Sequence, residues 1–457
     1  MDQIASPQPV NVTHARVLWL ALPMMLAHAT TPLVGIASTA IIGSLGDATL
    51  VGGVATAAIV FDFLFWSFGF LRMGTAGLTA QALGAGNADE MRATLWRALV
   101  LSTSLGAALI LLQALIAVAA FRLIDASPAV TQAAREFYDI RIWSAPFTLS
   151  GYATFGAIVG RGRTDLGLIT QIFANVLNVA LAAFLVLGLN WGVTGAALGI
   201  NIAEALGLAF NIFLLRRMDA LAATSRARIF DSHGFRTMLM LNRDILIRTA
   251  ALMFVSVVFL RTGAHVDDAT LAANSILMVL ALFLVAMVDG FGTAAEQLCG
   301  QSYGARDSRG FRRAAWLCGW WSVAFGAVLW IGALGFAQIY AQAMSPVPEV
   351  QAVVVAYLPY AALIPLAGAL AFSFDGVFIG AGWGREMRNT MLFAALVYVG
   401  LVFALQSFGN AGLWTAQILF YVVRWSGQAF LYPGRLAQAF PAAQSAAFAP
   451  TASDRRA

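Results

Sequence analysis

Largely apolar stretches long enough to form membrane helices recur along nearly all of this chain, separated by short polar breaks. A helix needs about 20 such residues to cross the hydrocarbon of a bilayer, where its backbone groups must be satisfied within the segment. The pattern restricts the chain to an all-α integral membrane protein and leaves little length for a soluble domain. Hydrophobic residues make up 60%, charged residues only 11%, and the mean hydropathy is +0.79. The first apolar stretch continues from Val17 through Pro32 to Ile42 without a small-residue cleavage site, so a removable signal peptide is not expected.

The breaks predict twelve helices, near 16–45, 49–83, 93–121, 131–160, 166–188, 193–216, 237–262, 270–303, 311–343, 350–381, 388–408 and 412–438. Pro23, Pro32, Pro146, Pro359 and Pro365 fall inside them, where neighbouring helices can satisfy the backbone groups that proline frees. Arg92 and Arg97, Arg161 and Arg163, the group from Arg216 to Arg248, Arg306 to Arg313, and Arg385 with Arg388 occupy alternate loops. The positive-inside rule then puts those loops and both termini in the cytoplasm, in a multi-pass bacterial inner-membrane topology. The same loops explain a net charge of +5 without nucleic acid as a partner. The longest polar break, 217–242, reads as a linker between an N-lobe (1–216) and a C-lobe (243–440), with 441–457 a disordered cytoplasmic tail.

The second half echoes the first. Asp47-Ala48-Thr49-Leu50 returns as Asp268-Ala269-Thr270-Leu271, a displacement of 221. Gln81, Gly84, Ala85, Arg92 and Trp96 return as Gln301, Gly304, Ala305, Arg312 and Trp316, and Gly156, Gly160 and Gly162 as Gly376, Gly380 and Gly382, all displaced by 220. Six helices intervene, an even number, so the repeat is parallel and the expected relation is an axis along the membrane normal. Such duplication is typical of secondary transporters.

Charges inside the spans are costly and ask for a reason. The candidates are Asp62, Arg72, Glu204, Asp289, Glu296, Asp375 and Arg424. Asp289 and Glu296, seven apart, share a helix face with Thr293 between them, and Gln297 and Gln301 extend the polar stripe. Desolvated carboxylates can exchange protons in the physiological range, so Asp289, Glu296, Asp375, Asp62 and Glu204 are the candidates for cation coupling. Asn175 and Asn178 read as part of a polar pocket or as an interhelical hydrogen-bonding pair. Asp267-Asp268 reads as a helix cap and not a metal site. His14, His28, His233 and His265 show no ligand spacing, Cys299 and Cys318 read as buried small residues, and the absence of lysine rules out a lysine Schiff base.

The run from Gly69 to Ala82, Gly-Phe-Leu-Arg-Met-Gly-Thr-Ala-Gly-Leu-Thr-Ala-Gln-Ala, resembles multidrug and toxic compound extrusion transporters, specifically the DNA-damage-inducible F subfamily. The resemblance returns in Asp289-Gly290-Phe291 with Ala294-Ala295-Glu296 and Gly300, in the run from Phe374 to Ala381, and in Met387-Arg388-Asn389. It implies two six-helix lobes around a central cavity and export of amphipathic, often cationic compounds against inward proton or sodium flow. No cofactor is implied, and a monomer is expected. Two departures stand out: Ser38 replaces the usual first-helix aspartate, and Ala182 the usual fifth-helix one. Asp62 is therefore expected to supply the N-lobe carboxylate, near Ser38, Asn175 or Asn178. Thr293, Gln297, Arg72 and Arg424 complete the expected substrate cavity. A flippase for a lipid-linked precursor would want a more basic cavity. An intramembrane transferase would want acids clustered in a loop for a divalent ion.

Overall fold

The computed structural model describes residues 10–44, 46–124, 126–263 and 267–441; the side chains of Thr31, Pro32, Leu33, Ile36 and Thr39 fall outside that description, as do His265 and all of the expected tail except Pro441. No strand occurs among the described residues. The spans are α1 (His14–Gly43), α2 (Ala48–Gly84), α3 (Ala88–Leu111), α4 (Pro128–Arg141, a 3-10 turn Ile142–Ser144, then Ala145–Gly160), α5 (Thr164–Ala183) and α6 (Gly192–Arg217). The second half supplies α7 (Ser232–Gly263), α8 (Asp268–Gly304), α9 (Ser308–Gly335), α10 (Pro348–Gly380), α11 (Gly384–Ala404) and α12 (Gly409–Ala439). Nine of these stretches are long and apolar enough to cross a membrane on length and composition alone; α1, α4 and α12 complete the twelve that the repeat demands.

The repeat is legible in the helix ends. α2 and α8 are each 37 residues long, and both of their ends differ by 220, as do both ends of α4 and α10 and the starts of α3 and α9 and of α5 and α11. The caps agree. Asp47 caps α2 by accepting from Thr49 N at 2.8 Å, and Asp267 caps α8 by accepting from Thr270 N at 2.8 Å. The structural counterpart of Asp47 is thus Asp267, and the Asp-Ala-Thr-Leu match at 221 lies one residue out of register. The Thr270 hydroxyl, donating to Asp267 at 2.7 Å, and the Thr270 backbone N–H together hold the Asp267 carboxyl below its ordinary range. Left-handed turns recur at Gly162 and Gly382, with φ of 77° and 75°, and at Gly86 and Arg306.

Contacts divide the chain into two compact units. One comprises Trp19–Thr79 and Ala88–Ala250; the other comprises Met1–Leu18, Ala80–Asn87 and Ala251–Ala457. In the N-terminal unit the expected linker is partly helical, since Arg226–Ile229 forms a turn and α7 begins at Ser232. Buried Arg97 holds it, donating to the Ile229 and Arg228 carbonyls at 3.0 and 2.7 Å and to Glu90 at 2.5 Å.

Within each unit the second and fourth helices cross at backbone contact. A methyl group on Gly376 would lie 2.0 Å from the Gly292 carbonyl oxygen, and one on Gly380 2.4 Å from that of Glu296. In the N-terminal unit, Gly156 and Gly160 meet the Arg72 and Ala76 carbonyls in the same way. Helices in lipid gain little from hydrophobic burial, so such close packing carries much of their association. Gly376→Ala should therefore lower the apparent melting temperature in detergent, at an overpacking cost of about 1–3 kcal/mol. Gly332→Ala, where nothing lies within 4 Å, should be neutral or stabilising; equal melting curves for the two variants would contradict the crossing.

Candidate functional site

In the C-terminal unit, Asp375 on α10 meets Arg424 on α12 in a direct ion pair, and its other oxygen accepts from Gln428 Nε2 at 2.7 Å. Arg424 is 0% exposed, and its guanidinium lies 5.4 Å from the Phe372 ring centroid. Arginine does not lose its proton in proteins, so burial at this depth obliges an anion nearby. On α8 the expected stripe separates: Glu296, Thr293, Gln297 and Gln301 are buried, while Asp289 is partly exposed. Both side-chain polar atoms of Gln297 are buried without a protein partner among the described residues. The helix crossing sets Gly376 beside the Glu296 backbone and so brings the stripe close to Asp375 along the chain.

The N-terminal unit holds a second pair. Arg141 on α4 donates to Glu204 Oε1 on α6 at 2.5 Å and to Ser144 Oγ, and Thr148 Oγ1 donates to the other Glu204 oxygen. The Arg141 guanidinium sits 5.3 and 5.1 Å from the ring centroids of Phe61 and Phe65 on α2. Tyr152 lies in the electrostatic field of Glu204, Arg141, Arg72 and Asp62. Sequence reading overlooked Arg141. The available signal was an arginine ten residues into a predicted span, flanked by Ile140 and Ile142.

The remaining candidates lie elsewhere in this unit. Asn175 on α5 donates to Thr30 Oγ1 on α1 at 2.7 Å and accepts from Gln171 at 3.0 Å. Asn178 keeps a buried Oδ1 without a protein partner, and Ser38 is partly exposed on α1. Asp62 lies on the exposed face of α2 and feels Arg141, whereas Asn175 engages α1. No hydrogen bond joins Asp62 to Ser38, Asn175 or Asn178 among the described residues.

Each unit thus bridges its fourth and sixth helices with an ion pair, buried on both sides in the C-terminal unit and partly exposed at Glu204 in the N-terminal one, and the polarity is reversed between them. The cation sits on α4 in one unit and on α12 in the other. The model of the family described as MatE matches this chain twice, over residues 23–184 and 245–404, in step with the repeat. The chain belongs to the MatE family. Like the other multidrug and toxic compound extrusion proteins, it is a multi-pass membrane protein of transporter fold. It is 35% identical to the DNA damage-inducible protein F of Escherichia coli over 90% of each chain. It is 26% identical to a probable multidrug resistance protein NorM of Caulobacter vibrioides over 71% of this chain and 69% of that one. Among solved structures, an outward-facing multidrug resistance MATE family transporter superposes with a TM-score of 0.85 at 17% identity, covering 93% of this chain and 96% of that one. A MOP superfamily transporter from Pyrococcus furiosus, whose binding pocket is described as having reversed polarity, gives 0.83 at 17% identity and covers 93% and 96%.

Removing one partner of a buried pair strands the other charge, at a cost of about 3–5 kcal/mol. Asp375→Asn should therefore lower thermal stability far more than Asp289→Asn, and adding Arg424→Gln to Asp375→Asn should restore part of the loss. Additive effects of the two substitutions would show that the pair is not coupled.

Proposed function

We propose that this MatE-family chain is a secondary active exporter that exchanges amphipathic organic compounds, often cationic, for protons or sodium by alternating access. The observation that carries the reading is the carboxylate–arginine pair between the fourth and sixth helices of each unit. Because arginine keeps its charge, only the carboxylate of each pair can take up a proton, and uptake weakens the bridge between two helices. Asp375 and Glu204 are the coupling carboxylates in this reading, and Asp289 and Glu296 are the route by which the ion reaches Asp375. Gln297 and Thr293 in one unit, and Asn175, Asn178, Ser38 and Arg72 in the other, supply polar groups to the substrate path. Each intramembrane arginine in these pairs is offset by a carboxylate, which disfavours a cavity built for a pyrophosphate head.

The protein works as a monomer in the bacterial inner membrane with both termini cytoplasmic, and needs no cofactor beyond the coupling ion. A membrane potential of 100 mV supplies about 2.3 kcal/mol per charge moved, enough to sustain a concentration gradient of tens of fold. The test is dye efflux from proteoliposomes under an imposed proton or sodium gradient. Asp375→Asn and Glu204→Gln, corrected for the amount of folded protein, should each reduce gradient-driven efflux at least tenfold. Efflux that persists unchanged after both gradients are collapsed would overturn the exchange.

A further inference from the structure

We propose that the exposed face of α2 carrying Ile59, Asp62, Phe63 and Trp66 receives the cationic group of the exported compound, with Asp62 as counter-charge and the two rings as aromatic walls. The inference rests on the reading above that the chain exports organic cations, and it gives Asp62 a role in binding that is separate from ion coupling.

Residues 59, 62, 63 and 66 fall on one helix face by their spacing. Ile59, Phe63 and Trp66 are 52%, 45% and 45% exposed, and Asp62 is exposed with them. The opposite face is closed, since Phe61 and Phe65 are buried and Phe61 stacks on Tyr138 at 5.3 Å. Asp62 makes no hydrogen bond or ion pair with another described residue; Arg141 reaches it only through its longer-range field, because its direct bonds go to Glu204 and Ser144. The acid is also deep. The span Ala48–Gly84 is 37 residues long, and Asp62 lies four residues from its midpoint, about 6 Å along the axis. A lone carboxylate at that depth is unfavourable against lipid, so this face meets water or a polar ligand.

The chemistry of the face selects the ligand. A metal ion would need several oxygen donors, and here there is one carboxylate among apolar groups. A delocalised or quaternary organic cation needs one negative charge, aromatic faces and apolar surface, which these four residues provide. Arg141 gives its direct bonds to Glu204 and Ser144, so the Asp62 carboxylate stays available to a ligand.

The experiment is equilibrium dialysis of tetraphenylphosphonium against the full-length protein in nanodiscs, corrected for empty nanodiscs, with tetraphenylborate as the anion of matched shape. Saturable phosphonium binding should weaken at least tenfold in Asp62→Asn and stay within threefold of the parent in Asp62→Glu. Trp66→Leu should weaken it several-fold, and Trp66→Phe should recover most of the loss. Tetraphenylborate binding should not change. Retention of charge in Asp62→Glu and the unchanged borate signal separate a lost site from a misfolded chain. Parental phosphonium affinity in Asp62→Asn would overturn the site. If that variant also lost gradient-driven efflux, Asp62 would be a coupling acid, and the exchange reading would stand without this site. Equal binding of both ions would likewise overturn it, as partition into the apolar surface. Gradient-independent efflux, by contrast, would remove the exchange reading and leave phosphonium binding at Asp62 intact.

Discussion

In each unit the second and fourth helices cross where glycine lets one backbone rest on the carbonyls of the other. In the C-terminal unit the carbonyls of Gly292 and Glu296 occupy the space that side chains at 376 and 380 would need. Dispersion and weak polar contacts at such crossings replace the hydrophobic drive that lipid removes. The crossing also sets the chemistry, because it fixes the height and rotation of α10. Asp375, the neighbour of Gly376, is thereby held against α12, where Arg424 and Gln428 satisfy both of its oxygens. A second polar knot ties α8 to α12 nearer their starts. Asn274 and Asn410 exchange hydrogen bonds at 2.8 and 3.0 Å, and Trp414 Nε1 donates to Asn274 Oδ1 at 2.9 Å. Rigid helices around a few charged groups are what an ion-sensitive site requires.

The helix count, the parallel repeat and most helix ends were legible because two periodicities carry them: the length of a bilayer span and the constant displacement of 220. Turn and cap residues report the register most sharply. Even so, the four-residue match at 221 misled by one position, since two adjacent aspartates, Asp267 and Asp268, stand at the start of α8 and composition alone does not say which one caps. The site was less legible. Asp375, Glu204 and Arg424 stood out as charges in apolar runs, but their partners depend on which helices pack together, and no local pattern encodes that. Arg141 escaped notice because Arg135, Glu136 and Asp139 precede it on the same helix, which makes a further arginine look like part of the helix mouth. The 3-10 turn that follows, Ile142–Ser144, carries the chain into Ala145–Gly160, so the arginine lies within the span. Asp62 was legible as an anomaly but not as an exposed residue, because the flanking Phe61 and Phe63 turn to opposite sides of the helix.

The reversed polarity of the two ion pairs has consequences for what protonation can release. The register sets Ala361 opposite Arg141 and Phe155 opposite Asp375, so neither pair is a copy of the other in position. Asp375 lies five residues from the end of α10, about 8 Å, while Arg141 lies nineteen residues from the end of α4, about 28 Å. The two units thus place their ion pairs at different depths of the equivalent fourth helices, and carry their titratable acids on non-equivalent helices, α6 in one and α10 in the other.

What the arginine keeps after its carboxylate is neutralised differs as well. Arg141 is stacked on Phe61 and Phe65, which belong to α2, so loss of the Glu204 charge leaves α4 tied to α2 by the cation–π contact and to α6 by neutral hydrogen bonds, from Asn201 to the Ile140 carbonyl at 2.7 Å and from Asn211 to Thr154 Oγ1 at 3.2 Å. Arg424 is stacked on Phe372, which belongs to α10, the helix that also carries Asp375. Neutralising Asp375 therefore removes the ion pair but leaves the same two helices joined through the cation–π contact. Such a contact is worth about 2 kcal/mol or more when desolvated, a substantial part of what a buried pair contributes. The two pairs therefore differ in what backs them: the C-terminal arginine has a cation–π contact with the helix of its own carboxylate, and the N-terminal arginine has its cation–π contacts with a third helix.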